Sequence, residues 1–197
     1  MKKLMIIAAV AMASIAVQAA TVNWASAQIK APTSLTDGAK GTANADGGSF
    51  YLFAITADQY NSLMAQSYAD ASASIWSTFG GDNLPDTAAG TLNANGVYTH
   101  KETVDNSVGQ LYRAFIYTYE VSEEIDGEKL TQLYYQANIG TANVTGSGTV
   151  SGTSKLGTTW AGTSGGAIST WTAVPEPTSG LLMLVGLAGL ALRRRRA

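Results

Sequence analysis

The side chains able to perform chemistry are few and widely spaced. The chain holds one histidine, His100, and no cysteine. These counts exclude a site needing two imidazoles from one chain, a thiolate zinc site, a cysteine nucleophile and a disulfide framework. His100 would have to be the base of any Ser-His-Asp arrangement, and no Gly-x-Ser-x-Gly elbow accompanies it. It lies in the polar run Tyr98-Thr99-His100-Lys101-Glu102, which reads as a solvent-facing strand. Asp82 with Asp86, and Glu123, Glu124, Asp126 and Glu128, form two carboxylate groups. Paired carboxylates hydrolyse glycosides or hold calcium. Neither group matches the calcium-loop template, and the second occupies a polar turn ending at Lys129, so solvated turns are the plainer reading. Tyr112, Tyr117, Tyr119, Tyr134 and Tyr135 offer a platform for sugars, or the ordinary aromatic content of strands and cross-strand pairs. No phosphate-cradling glycine motif followed by Lys-Ser/Thr is present. The chain is read as no enzyme, with no catalytic, metal-ligating or cofactor-binding residue.

A different chemistry stands at the C-terminal end. Pro175-Glu176-Pro177 is followed by Thr178 and Ser179, then 13 apolar residues from Gly180 to Leu192, then Arg193, Arg194, Arg195 and Arg196. Each proline fixes its own φ, removes a backbone donor and pushes its predecessor to extended geometry. Glu176 is therefore held in a stiff, extended segment, the form an enzyme needs to reach a peptide bond. As a helix, 13 residues span roughly 20 Å, against a bilayer core of about 30 Å. The stretch enters a membrane but spans it poorly, even with the arginines snorkelling. The arginines are expected to stay cytoplasmic and stop the chain.

The N-terminal end agrees. Lys2 and Lys3 precede an apolar run from Leu4 to Val17, and Val17 and Ala19 place small residues at the −3 and −1 positions of a cleavage site. Residues 1–19 read as a secretory signal peptide cut after Ala19, rather than an uncleaved anchor. This implies passage through the Sec translocon and cutting by signal peptidase.

The tail, with Pro175-Glu176-Pro177, the apolar stretch and Arg193 to Arg196 in order, resembles the PEP-CTERM sorting signal of diderm bacteria. The resemblance covers about the last 24 residues. It implies a substrate of exosortase, a membrane-embedded transpeptidase-like enzyme associated with exopolysaccharide production, and a cut near the Pro-Glu-Pro motif. It also implies a transient stay in the inner membrane before delivery to the cell surface, the extracellular matrix or a biofilm. Extracellular polysaccharide enters as a further partner on the same ground. A plain C-terminal anchor is the alternative reading of the same residues.

Between the two ends lies an acidic passenger. Charged residues make up 13% of the chain, about half of the usual share, and Gly is 21 of 197. Removing both ends leaves six basic and 13 acidic side chains in residues 20–174, a net charge of about −7. No basic stripe remains, so nucleic acid is excluded as a partner.

The elements that must position these groups follow from periodicity. Thr21 to Ser26 reads as a first strand, and Pro32 to Ser49 as a loop. Phe50 to Thr56 reads as a buried strand. Thr56 and Gln59 form a capping box ahead of Tyr60, Leu63, Met64, Tyr68, Ala71 and Ile75 at helical spacing. This predicts one amphipathic helix of roughly five to six turns, stopped by Gly80-Gly81. Asp82 to Gly96 reads as a loop and Gly96 to Val104 as a strand. Gln110 to Ser122 is the strongest strand, returning as Leu130 to Asn138 through a longer hairpin loop around Asp126-Gly127. The Gly/Thr/Ser-rich region 140–170 reads either as a flexible spacer or as one or two last strands, with 171–174 as a stalk.

The expected fold is α+β: a small antiparallel β-sheet with one amphipathic helix packed on it and a Gly/Thr/Ser-rich C-terminal part. The expected organisation is signal peptide 1–19, passenger 20–170, stalk 171–174 and sorting signal 175–197. The expected role is that of an exported structural or interaction protein. Two alternatives stand beside it: a carbohydrate-binding module, which needs the hairpin tyrosines exposed in a row, and a small hydrolase, which needs two carboxylates converging in one cleft.

Overall fold

A computed structural model describes residues 19–26, 28–35, 41, 43–154 and 171–174. The sorting motif at 175–177, Arg193 to Arg196 and Val17 lie outside the described residues.

The strongest element in the sequence is also the centre of the molecule. Strands β7 (Gly109–Ile125) and β8 (Glu128–Val144) form a hairpin of 17 residues a side, in unbroken register from Gly109↔Val144 to Ile125↔Glu128. The longer loop expected at its tip is absent. Asp126 (φ 53°) and Gly127 (φ 81°) both take positive φ and close the hairpin in two residues, the geometry whose twist matches paired strands. β4 (Ser49–Ala54) adds antiparallel to β7, and the short β5 (Gly90–Thr91) adds to β4.

On the far edge of β8 the sheet continues through β9 (Gly148–Ser154), then β1 (Ala19–Ala25), then β6 (Thr99–Asp105). The β1–β9 pairing is parallel and the others are antiparallel. β2 (Lys30–Ala31) and β3 (Ala43–Asn44) form a separate two-stranded ladder. β10 (Thr172–Ala173) pairs with Tyr135 and Tyr134 of β8. The segment 171–174, expected as a stalk, is thus built into the sheet, and β9 is a strand within the Gly/Thr/Ser-rich region.

The β4-β7-β8 layer is buried on both faces, which is why β7 reads apolar on both. One face meets β1 and β6, which curl over it as strand twist accumulates. Trp24 stands edge-on to Phe115 at 5.4 Å, and Phe50 stacks on Tyr98 at 4.2 Å. The other face, with Ala114, Ile116, Ala137 and Ile139, is covered by helices.

The expected single helix is two: α1 (Ala57–Met64) and α2 (Tyr68–Phe79). The capping box is present, with the Thr56 and Gln59 side chains each bonded to the other's backbone N–H. A second cap breaks the run. Ser67 is extended (φ −64°, ψ 157°), and its Oγ accepts from Asp70 N–H, the local bonding that draws serine out of helix interiors. Tyr60, Leu63, Ala71 and Ile75 still point to the sheet. Ser72 Oγ accepts from the Ala137 N–H of β8, tying α2 to the strand. Gly80 closes α2 through its N–H to Trp76 C=O, and Gly81 (φ 57°) turns the chain away. Among the described residues no helix is long and apolar enough to cross a membrane.

Candidate functional site

The carboxylate groups do not converge. Asp82 and Asp86 are exposed, as are Glu124, Asp126 and Glu128 at the hairpin tip. Glu123 is occupied structurally, its Oε2 accepting from Leu35 N–H at 2.8 Å. Among the described residues no group of three or more His, Cys, Asp and Glu side chains could hold a metal. A groove of about 400 Å³ opens between α1 and α2, but Asp58 is the one carboxylate among its lining residues. The tyrosines do not form an exposed row either. Tyr117, Tyr134 and Tyr135 are buried, while Tyr112 and Tyr119 are half-buried. Tyr135 stacks on Trp76 at 4.1 Å, and Tyr112 packs on Tyr60. Burial pushes the Tyr117 and Tyr98 phenols above their ordinary range. These rings are core, not platform.

His100 is not the solvent-facing residue expected from its neighbours. It points inward from β6 and packs edge-on to Phe50 at 5.7 Å. On the same face of β6, Glu102 makes the one ion pair found among the described residues. Arg113 of β7 donates Nε to both carboxylate oxygens at 3.1 Å and Nη2 to Oε1 at 2.5 Å. Trp24 Nε1 donates to Oε2 at 2.9 Å. Burial alone would raise the Glu102 pKa, but the hydrogen bonds from Arg113 and Trp24, with the charges of Arg113 and His100, outweigh it and hold the carboxyl below its usual value. With all its acceptor capacity directed at Arg113 and Trp24, the group joins three strands. The visible signal was an arginine on an apolar face of β7, between Leu111 and Phe115; its partner could come only from topology.

The remaining site is the root of the tail. Trp171 is 2% exposed, its Nε1 donates to Lys30 C=O, and its ring lies 6.0 Å from that of Tyr119. Thr172 and Ala173 pair with β8. Val174 N–H donates to Leu133 C=O at 2.8 Å, and Gln132 Nε2 donates to Val174 C=O at 2.7 Å. Hydrogen bonding to β8 therefore runs up to the residue before Pro175. At the other end, Ala19 opens β1, exposed and paired with Asp105, while Ala20 is fully buried.

Comparison with known proteins bears on the tail alone. Residues 173–196 match the family model described as the PEP-CTERM protein-sorting motif. The matched stretch contains Pro175-Glu176-Pro177 and all four arginines. No curated protein and no solved structure matches the chain. The tail is a PEP-CTERM sorting motif, and it marks an exported, exosortase-targeted protein with a surface or extracellular destination.

Proposed function

From a chain whose tail carries the PEP-CTERM motif, we propose that residues 20–174 are a non-catalytic structural or interaction domain of the cell surface or extracellular matrix. In this reading the signal peptide is removed after Ala19, the arginines hold the C-terminus in the cytoplasm, and the chain pauses in the inner membrane. Exosortase then cuts near Pro175-Glu176-Pro177 and frees the domain for delivery. The match over residues 173–196 carries the reading.

The passenger supports it in two ways. Its acidic balance suits a soluble domain beyond the membrane, and its one ion pair among the described residues, Glu102 with Arg113, is spent on joining strands. Among the described residues the hairpin tyrosines form no exposed row, and the carboxylates singled out in the sequence share no cleft; Asp46 and Glu120 line a separate pocket of about 300 Å³ beside Tyr119.

The test is the intact mass and location of the mature protein in cells with and without exosortase. The expected product begins near Ala20, lacks Gly180 to Arg196 and lies outside the inner membrane only when exosortase is present. A mature product that keeps Gly180 to Arg196 in both strains defeats the proposal in favour of a lasting anchor.

A further inference from the structure

Resting on that reading of the tail, we propose that β10 gates the sorting reaction, so that the processing enzyme acts on chains in which β10 has peeled away from β8. An enzyme that cuts a peptide bond must grip extended backbone on both sides of it, and such grips are made through main-chain N–H and C=O groups. Here the groups on the β8 side are already committed up to the first proline. Val174 N–H is held by Leu133, Val174 C=O by Gln132, and Thr172 faces Tyr135 across the β8 ladder, while the intervening Ala173 turns its N–H and C=O away from β8. Trp171, buried in the core, anchors the whole segment.

Reach gives an independent argument. With β10 closed, five residues, 175–179, separate Val174 from the apolar stretch beginning at Gly180. A chain of that length spans at most about 18 Å. The folded domain is then held against the membrane surface where a membrane-embedded enzyme must work. Releasing residues 171–174 extends the tether to nine residues and about 32 Å.

The opening is local. β10 contributes two ladder residues, both exposed, on the edge of β8, and segments held by so few pairings open without global unfolding. When opening and closing are fast relative to cutting, the rate of cutting follows the open fraction.

The test is a pulse-chase of the full-length chain in cells that carry exosortase, following conversion of precursor to mature protein. Gln132→Ala removes the clamp on Val174 C=O and is expected to speed conversion roughly five-fold, the effect of one net hydrogen bond. The opposite perturbation is a staple. The chain has no cysteine, so Leu133→Cys with Val174→Cys introduces one pair at facing positions one step beyond the β10–β8 ladder, where the usual Cα spacing of a hydrogen-bonded antiparallel pair is one a disulfide accepts. Oxidised, it is expected to slow conversion at least roughly ten-fold relative to Val174→Cys alone, with recovery on reduction; non-reducing mass analysis establishes the bond. Conversion of the oxidised pair at the single-cysteine rate, or a Gln132→Ala rate that is unchanged or slower, overturns the gate. Replacing Pro175, Glu176 and Pro177 by alanine tests the underlying reading separately. Precursor accumulation there upholds the sorting motif whatever the gate does, and normal conversion sinks both.

Discussion

Replacing Glu102 by glutamine isolates the charge that joins β6 to β7. The substitution keeps the shape and an acceptor for Trp24 Nε1 but removes the negative partner of Arg113. Breaking a buried pair by removing one member costs about 3–5 kcal/mol, because the other charge is left uncompensated. Here the Arg113 and Glu102 side chains are 11% and 20% exposed. Solvent screening therefore lowers the expected loss to roughly 2–3 kcal/mol. Against a total stability of about 5–15 kcal/mol and a urea slope of about 1–3 kcal/mol/M, the unfolding midpoint of the mature protein should fall by roughly 1 M or more. Circular dichroism is the suitable probe, since Trp24 fluorescence would respond to the changed charge beside its own indole. The double variant Glu102→Leu with Arg113→Met removes both charges and leaves mainly the unpaired Trp24 N–H, at about 1–2 kcal/mol. It should therefore be more stable than Glu102→Gln. The pH dependence has a defined sign. The folded pKa of Glu102 is lowered from 4.5, so its contribution is complete above the unfolded value and is lost as pH falls through the lower folded one. Glu102→Gln should flatten the acid limb of stability below about pH 4.5. A Glu102→Gln midpoint equivalent to less than ~0.5 kcal/mol from wild type, with an unchanged acid limb, would refute the reasoning.

Three further outcomes are expected. A Cβ at Gly152 would lie 2.1 Å from the Trp24 ring across the β1–β9 pairing, so Gly152→Ala should cost about 1–3 kcal/mol by overpacking, read in a urea melt. Thr56→Ala removes the hydroxyl that caps α1 and should cost ~1 kcal/mol, with α1 amides exchanging faster in hydrogen exchange and those of the β7–β8 hairpin unchanged. The fragment 20–174 should be soluble and melt cooperatively by circular dichroism. The fragment 20–170 lacks Trp171 and should be less stable by about 3–5 kcal/mol, and equal melts for the two would show that the β10 anchor contributes nothing.

Elements whose cause is local were legible in the sequence. Thr56 and Gln59 sit three residues apart and cap the helix through their own backbone, and Gly80-Gly81 ends it for reasons contained in two residues. β7 was readable as a strand from its apolar, aromatic run, whose centre is buried on both faces. The helix break was also local, but the apolar spacing continues through Ser67 and hides the second cap formed with Asp70. The hairpin tip was misjudged because Glu123, Glu124 and Glu128 look like loop, whereas they are exposed or half-buried positions of long strands. The inward turn of His100, the Arg113–Glu102 pair and the burial of Trp171 were not readable. Each depends on a strand more than ten residues away in sequence or on the curl of the sheet, and composition carries no trace of either. The tail was legible because its working parts are contiguous, Pro175-Glu176-Pro177 followed by Gly180 to Leu192 and the arginines.

The strand order also bears on when the tail is open. The β7–β8 hairpin has local contacts and a turn that favours its own closure, so it is the element that can form earliest. β1, though first in the chain, lies between β6 and β9 and pairs with residues 99–105 and 148–152. It cannot find its place until residues as far along as 152 are available to pair. β10 is later still, because its register with Tyr134 and Tyr135 and the seat of Trp171 against Lys30 and Tyr119 require β8 and the β2 segment to be in position. Non-local pairings of this kind are slow to form, since loop-closure entropy is lost before any contact compensates it. On the proposed route, in which the arginines hold the chain in the membrane, it therefore passes through an interval in which the hairpin exists and β10 does not. In that interval the residues before Pro175 are unpaired and the tether is long. The gate then favours cutting of chains that have just arrived over chains whose domains have closed, and the oxidised Leu133→Cys/Val174→Cys staple, once formed, should remove that distinction by holding every chain in the closed state.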